Sequence, residues 1–313
     1  VSPTSGSRYA LINAGNIENK GVEMMLNVKL IDRKFFSWRS SIAYARNRSM
    51  VVELAEGVDN LQLMEHWGLS IEARPGHPYG DIVGYAIARD AEGRKLVDEN
   101  GMYIRSASTQ VLGNINPKFK LSWSNTINWK KLSISFLVDA RVGGQIFAGT
   151  NMYGYGYAGN FEETLEGREE WYASEQARID AGVASADWVA TGGYLAEGVF
   201  ADGTPNNVYV NPEKYWSQFS NWTNEIHEPF VYDAGYVKLR EVIFTWELPA
   251  KWFSTLKIDK FYLSAYSRNV WLLFSQVPNI DPEAYHNSES GQGYELYSYP
   301  GQRSVGINLK INF

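Results

Sequence analysis

Apolar and polar residues alternate with a period of two along much of this 313-residue chain, and no other feature constrains its fold as strongly. In PKFKLSWSNTINW, at residues 117–129, polar residues separate the apolar ones: Phe119, Leu121, Trp123, Ile127 and Trp129. The same alternation occurs in GVEMMLNVKLI, FSWRSSIAYARN, LSISFLVDARV, VIFTWELP, KFYLSAYSRNVWLLF and SVGINLKINF. Successive side chains of a β-strand point to opposite faces, so these runs predict an all-β fold with about seven strands, each apolar on one face.

Short and long connections alternate between these runs. The short ones are at residues 32–35, 130–131 and 249–255, whereas the long ones are at about 50–116, 148–235 and 276–301. Outer-membrane β-barrels have this arrangement, because their periplasmic turns are tight and their extracellular loops are long. Each run also supplies about the 9 to 11 residues with which a tilted strand crosses the hydrocarbon. We therefore predict antiparallel transmembrane strands whose three long connections are extracellular.

The two faces of the predicted strands suit lipid on one side and water on the other. Trp38, Trp129 and Trp246 lie near the short turns, as in the aromatic girdle of a membrane barrel. Lys238 and Arg240 share parity with the apolar residues that follow them, so either a bulge changes the parity or both lie at headgroup level. A soluble β-sandwich also has alternating strands. The connections of a sandwich would not normally sort into short and very long sets. The sandwich is therefore the less favoured, alternative fold.

Composition and motifs exclude several function classes. The absence of cysteine rules out disulfides and thiolate chemistry, and a formal charge of −6 argues against a general nucleic-acid binder. The four histidines lack the spacing of metal ligands, and no nucleophile motif is present. We therefore expect no enzymatic activity, no metal and no cofactor. The opening VSPTSGSRYALINAG is no signal peptide, and we expect that the first residue is not a natural start.

Several segments resemble, in the same order, the barrel strands of SusC-like TonB-dependent transporters, the SusC/RagA family. They are NIENKGVEMMLN with FFSWRSSIAYARNRSMVVEL, RPGHPYGDIVGY, VLGNINPKF, YVKLREVIFTWELPAKW, SRNVWLLF and NIDPE. The resemblance implies that residues 1–313 are the C-terminal part of one transmembrane barrel of about 22 strands. It also implies that Phe313 is the barrel-assembly signal. The plug domain would then lie outside this chain.

The resemblance further implies a function and partners. The function would be active import of bulky nutrients, such as oligosaccharides, across the outer membrane of a Gram-negative bacterium. The partners would be a SusD-like surface lipoprotein and the TonB complex, the latter reached through an N-terminal region that is missing here. A peptide importer of the same architecture and a non-transporting surface-binding barrel are the alternatives, and a soluble sugar-binding β-protein is a third.

Candidate substrate contacts fall on the predicted strands and in the longest loop. Asp139, Arg141 and Arg268 lie on polar strand faces, where wall salt bridges are the alternative interpretation. Tyr153 and Tyr155 lie in a Gly/Tyr-rich stretch and can stack on a sugar or pack on a partner. There GYGYAG matches G-x-G-x-x-G, but it lacks the βαβ context of a dinucleotide site.

The loop at 148–235 is strongly acidic, with 14 acidic residues and three basic ones. Within it GREEWYASEQARIDAG predicts a helix over 167–181, ended by Gly182. Trp171, in the first part of this helix, is the last candidate substrate contact. Negative charge at a pore mouth steers ligands, so neutral glycans, cationic peptides or a basic partner surface are favoured over anionic polysaccharides. A merely solvated acidic loop is the alternative.

Overall fold

One antiparallel sheet of seven strands organises the chain. The computed structural model describes residues 15–221, 223–252, 259–285 and 292–312. In chain order the strands are β1 (Gly15–Arg33), β2 (Phe36–Leu54), β3 (Leu61–His66), β4 (Leu69–Ala73), β5 (Asp81–Gly84), β6 (Gln110–Asn114), β7 (Phe119–Trp129), β8 (Leu132–Val142), β9 (Gln145–Ala148), β10 (Val231–Asp233), β11 (Tyr236–Leu248), β12 (Lys260–Ser275), β13 (Tyr294–Glu295) and β14 (Ser304–Asn312). The main sheet has the order β1-β2-β7-β8-β11-β12-β14. The predicted seven alternating strands are therefore confirmed.

The register separates an apolar face from a polar one. Trp123 of β7 pairs with Ile42 of β2 on one side and with Val138 of β8 on the other. Directly paired residues lie on the same face, so the alternating apolar residues join across neighbouring strands. Many of these side chains are exposed, up to 77% for Val305 and 74% for Ile307. So large an exposed apolar surface is typical of a face that another apolar phase covers.

A bulge in β11 explains why Lys238 and Arg240 share sequence parity with the apolar residues that follow them. Lys238 pairs with Asp139 of β8, but Glu241 pairs with Leu137, and Arg240 is the extra residue between them. An extra residue shifts the alternation by one. Lys238 therefore lies on the polar face although the apolar residues after the bulge share its parity in the sequence. Of the two explanations that the sequence leaves open, the bulge is the correct one.

The long connections contain small sheets and short helices. Strands β3 to β6 form one sheet in that order, and β10, β9 and β13 form another. The helices are α1 (Gly149–Tyr153), α2 (Arg168–Asp180) and α3 (Pro212–Ser217), with a π turn at Gly154–Ala158 and 3-10 turns at Glu162–Leu165, Ser185–Asp187, Glu228–Phe230 and Ala250–Trp252. Helix α2 confirms the prediction for 167–181. Among the residues described, no helix has the length and apolarity needed to cross a membrane.

The hydrophobic core lies in these connections and not against the main sheet. Side chains from all three long connections meet in it, including Leu69, Ile82, Phe147, Phe219 and Tyr294. Because these segments fold in water, they must bury their own apolar surface against one another. The core thereby fixes the position of segments that are far apart in the sequence.

Substituting neighbouring residues of β11 with arginine tests which face meets lipid. Phe244 is 46% exposed on the apolar face and pairs with Ile134 and Ala265, whereas Ile243 pairs with Ser135 and lies on the polar face. In the full-length protein in lipid vesicles, Phe244→Arg should lower the free energy of unfolding by about 2 to 4 kcal/mol, the cost of arginine in the bilayer interior. Ile243→Arg should cost much less. Equal losses, measured by urea unfolding, would contradict the assignment of the faces.

Candidate substrate-binding site

A network of ion pairs fastens the third long connection to the sheet. Lys238 is only 2% exposed, and its Nζ lies 2.6 Å from Asp281 Oδ1 and 2.7 Å from Glu283 Oε2. Arg240, placed by the bulge, donates to Asp139 Oδ2 at 2.9 Å and also to Glu283. Two cations thus face three carboxylates where β8, β11 and the NIDPE segment meet. A buried lysine is tolerated only with such partners.

Glu283 is the acid that both cations share. Burial alone would raise the pKa of Glu283, but hydrogen bonds from Arg240, Lys238 and Tyr236 outweigh burial and lower this pKa to about 2. The Tyr236 hydroxyl lies 2.7 Å from Glu283 Oε1. The carboxylate therefore stays charged throughout the physiological pH range, and the anchoring of the third connection does not depend on pH there.

The structure places the three candidate residues of the strands in contacts within the wall. Asp139 accepts from Arg240 and, at 3.0 Å, from the Ser122 hydroxyl. Arg141 donates to the carbonyl of Ile115 at 2.6 Å. Arg268, two strands from Asp139, donates from Nε to Glu241 Oε2 at 2.8 Å. These contacts are of the kind expected for structural salt bridges and hydrogen bonds, and they do not gather the three side chains around one cavity.

Two of the candidates in the longest loop, Tyr155 and Trp171, do meet, at a cavity of about 330 Å³. The cavity lies between the π turn, the first turn of α2 and the start of α3. Five aromatic residues line it together with polar and small ones: Tyr155, Tyr157, Trp171, Tyr172 and Trp216. Arg168 and Glu213 supply one positive and one negative charge. Flat rings, few charges and limited volume suit a small, mostly uncharged group.

Close packing holds the wall of this cavity in place. Tyr155 is 7% exposed and stacks on Trp216 with ring centroids 4.8 Å apart. Burial raises the pKa of Tyr155, so its phenol stays neutral. Gly156 allows the π turn to approach the segment after α3, because a Cβ there would lie 2.0 Å from Ser220 Oγ. Asn211 caps α3 by accepting from the backbone N–H of Glu213 at 2.8 Å.

Trp216 is a cavity residue that the sequence prediction missed. Its indole Nε1 is buried and has no hydrogen-bond partner among the residues described. A buried donor without a partner is costly. The sequence carries a weak signal, since Tyr215 and Trp216 follow one another directly in α3. Only the fold shows that Trp216 meets Tyr155.

Trp171 also borders a second cavity of about 680 Å³. Both cavities share Trp171 and Asn211, and the second adds Trp188 and Tyr209. Trp171 therefore stands between two adjoining spaces. A ligand longer than one ring can occupy both by crossing this indole.

The last two candidates occupy other positions. Tyr153 is 5% exposed and does not line the cavity beside Tyr155, although its ring stacks on Tyr157, which does. Phe313 lies outside the residues that the structure describes. Its part in barrel assembly therefore stays a prediction.

Comparisons with known proteins agree with a barrel wall that carries folded loops. No protein-family model matches the chain. TonB-dependent receptor P3 of Formosa agariphila is 24% identical and is matched by 99% of the chain, which covers 30% of that receptor. TonB-dependent receptor P26 of the same organism is 24% identical and is matched by the whole chain, which covers 31% of it. The chain thus spans about a third of the length of the curated relatives it matches.

Solved structures show the same fold. The structure of the RagAB peptide transporter aligns with a TM-score of 0.59 and 16% identity, over all of this chain and 31% of the matched one. The RagAB peptide importer in its closed-closed state gives a TM-score of 0.62, also at 16% identity and with the same coverage. The chain is similar throughout to a C-terminal portion of SusC-like TonB-dependent receptors. The resemblance and the fold class predicted from the sequence are therefore confirmed, and the relatives are named as receptors and transporters.

Replacing Glu283 by glutamine tests the anchoring network. Glu283→Gln should destabilise the attachment of residues 276–285 by about 1.5 to 3 kcal/mol, because hydrogen bonds to two cations lose their charge. Since the folded pKa is lowered to about 2 from 4.5, the effect should be full above pH 4.5 and vanish as pH falls toward 2. Hydrogen exchange of this segment, corrected for the intrinsic pH dependence, measures the change.

Glu247→Gln is the matched control for this experiment. Glu247 pairs with Lys131 at the other end of β11, in an exposed bridge of 3.1 Å. Exposed pairs contribute little, and exchange at 276–285 should not change. Equal exchange in Glu283→Gln and in the unmodified protein would show that the network does not hold the segment.

Proposed function

We propose that this chain is part of a TonB-dependent receptor that imports bulky nutrients, chiefly oligosaccharides, across the outer membrane of a Gram-negative bacterium. One observation carries the proposal: the long connections of a sheet with an exposed apolar face fold into one body that holds an aromatic cavity. Residues 1–313 would belong to one transmembrane barrel domain, with extracellular loops at about 50–116, 148–235 and 276–301. The plug domain would be elsewhere in the receptor.

Aromatic side chains and negative charge favour a neutral substrate. The cavity is lined by Tyr155, Trp171 and Trp216, and its only charged lining side chains among the described residues are Arg168 and Glu213. The loop around it carries 14 acidic residues against three basic ones, which repels polyanions at the entrance. Rings of this kind suit the apolar faces of sugars, and they can also hold peptide side chains. The likeness to the RagAB peptide importer is one of fold, at 16% identity. Peptides are therefore the alternative substrate class to oligosaccharides.

Three partners follow from this proposal. Outer-membrane lipid would cover the apolar face of the main sheet, where side chains such as Val305 are largely exposed. A SusD-like surface lipoprotein would close over the folded connections. The TonB complex would supply energy through a region outside this chain. Asp139, Arg141 and Arg268 would form part of the wall that the substrate passes, together with the loop residues Tyr153, Tyr155 and Trp171.

Uptake by living cells tests the function. Cells that carry the full-length receptor should accumulate labelled oligosaccharides, and deletion of the receptor or of TonB should abolish this accumulation. A non-transporting surface barrel would instead bind the same sugars equally well with and without TonB and import none. Accumulation of labelled peptides alone would contradict the substrate class and retain the transport activity.

Removing the indole between the two cavities should weaken substrate binding. Trp171→Ala should lower the affinity of the full-length receptor for its oligosaccharide about tenfold, since an aromatic contact of this kind contributes about 1 to 1.5 kcal/mol. Titration calorimetry measures the affinity. Trp271→Ala is the control, because Trp271 is 63% exposed and pairs with Leu239 on the apolar face of β12. Equal affinities for the two variants would remove Trp171 from the site.

A further inference from the structure

Three aromatic side chains from three different connections converge on one buried ring. Trp67 lies in the turn between β3 and β4, Tyr157 in the π turn, and Tyr297 just after β13. Each contacts Tyr153, with centroid separations of 5.5 Å for Trp67, 5.5 Å for Tyr157 and 6.2 Å for Tyr297. Tyr157 and Tyr297 are stacked on Tyr153, and Trp67 meets it edge to face. We call this group, Trp67, Tyr157 and Tyr297 in contact with Tyr153, the aromatic platform.

The outer rings of the platform remain in contact with water. Trp67 is 40% exposed, Tyr157 56% and Tyr297 68%, whereas the Tyr153 that they contact is 5% exposed. Tyr153 thus supports the other rings without offering a surface of its own. Large apolar rings exposed together on a water-facing surface commonly mark a binding site.

Two platform residues have a backbone conformation that L-amino acids rarely adopt. The φ angles of Trp67 and Tyr297 are 46° and 49°, in the left-handed region. Bulky residues are strained there, and such strain persists only where the surroundings enforce it. The Tyr297 N–H donates to Thr150 Oγ1 at 2.6 Å, and the Trp67 carbonyl lies 3.2 Å from Nε2 of buried His227. Glycine would fit both positions without strain, yet aromatic residues occupy them.

The platform adjoins the cavity of the proposed function. Tyr157 belongs to both, since it stacks on Tyr153 and lines the 330 Å³ cavity. Two carboxylates lie close to the platform. Glu295 Oε1 accepts from the Thr150 hydroxyl at 2.7 Å, and this hydroxyl in turn accepts from the Tyr297 N–H. Glu225 Oε2 lies 3.6 Å from the His227 Nε2 that contacts the Trp67 carbonyl. Burial raises the pKa of both Tyr153 and Tyr297. The phenols are therefore neutral, and the local field is negative. Three rings are also far less than the roughly 800 Å² per partner of a stable protein interface.

We propose that the aromatic platform binds successive neutral pyranose units of an oligosaccharide whose end occupies the cavity beside Tyr157. Pyranose rings present flat C–H faces that stack on aromatic rings, and neutral sugars avoid the repulsion that carboxylated or sulfated ones would meet here. The inference rests on the proposed function and names the site and the charge class of its substrate. Trp67 and Tyr297 would act as specificity residues outside the cavity.

Binding by the purified full-length receptor tests the platform. The probes are labelled hexasaccharides of two kinds, neutral and uronate-bearing. The receptor should bind neutral chains and bind uronate-bearing ones at least tenfold more weakly. Trp67→Ala and Tyr297→Ala should each lower the affinity for the neutral chain about fivefold, and the double variant about twentyfold, as expected for the loss of ring contacts. Tyr299→Ala is the matched control, because Tyr299 is 93% exposed and lies two residues from Tyr297.

Tyr297→Gly separates binding from folding. Glycine removes the ring and relieves the left-handed strain, so the melting temperature should stay the same or rise while the affinity falls about fivefold. Tyr297→Phe keeps the ring and should bind as the unmodified receptor does. Unchanged affinity in Trp67→Ala and Tyr297→Gly, with uptake intact, would overturn the platform and leave the proposed function standing. Absence of TonB-dependent uptake of any hexasaccharide would overturn both.

Discussion

In the proposed receptor, contact with lipid on one face of the main sheet is the constraint on which the rest of the structure depends. The bilayer interior has no water to satisfy backbone groups, so crossing strands must pair with one another and turn their apolar side chains outward. Residues such as Val305 and Ile307 can then be exposed in the chain without penalty in the membrane. Because its apolar face is covered by lipid and its other face is polar, the sheet cannot form the hydrophobic core of the protein. The three long connections therefore build that core among themselves, and they carry the aromatic cavity with it.

Ion pairs attach the third long connection to the main sheet. The bulge at Arg240 brings a second cation to the place where Lys238 already faces the NIDPE segment, and both meet Glu283. A local departure from strand alternation thus positions a connection that is more than 40 residues away. In the proposed transporter this network keeps the third connection fixed beside the wall. The aromatic residues that follow it, Tyr294 and Tyr297, are thereby kept near the core and the platform.

Alternation along the strands predicted the seven-stranded sheet, because a period of two is a local property of the sequence. The positions of bulges could not be predicted from this alternation. In the sequence Leu30 alternates in phase with Val28, but the register shift after Lys29 leaves Leu30 without a paired residue in β2. Tyr155 and Trp171 were predicted as candidate contacts, but the cavity between them depends on how distant segments pack. The sequence carries only a weak signal for Trp216, its direct succession to Tyr215, and nothing local distinguishes Trp67 from other aromatic residues.

Cysteine scanning of β8 tests the central claim, that this sheet is a membrane wall with water on its polar face. The chain contains no cysteine, so single cysteines can be placed at residues 133 to 138 of a full-length receptor that is otherwise cysteine-free. In intact outer membranes, a membrane-impermeant maleimide should label positions 133, 135 and 137 and leave 134, 136 and 138 unmodified. Labelling of both sets to the same extent would show that lipid does not cover the apolar face, and it would contradict the account.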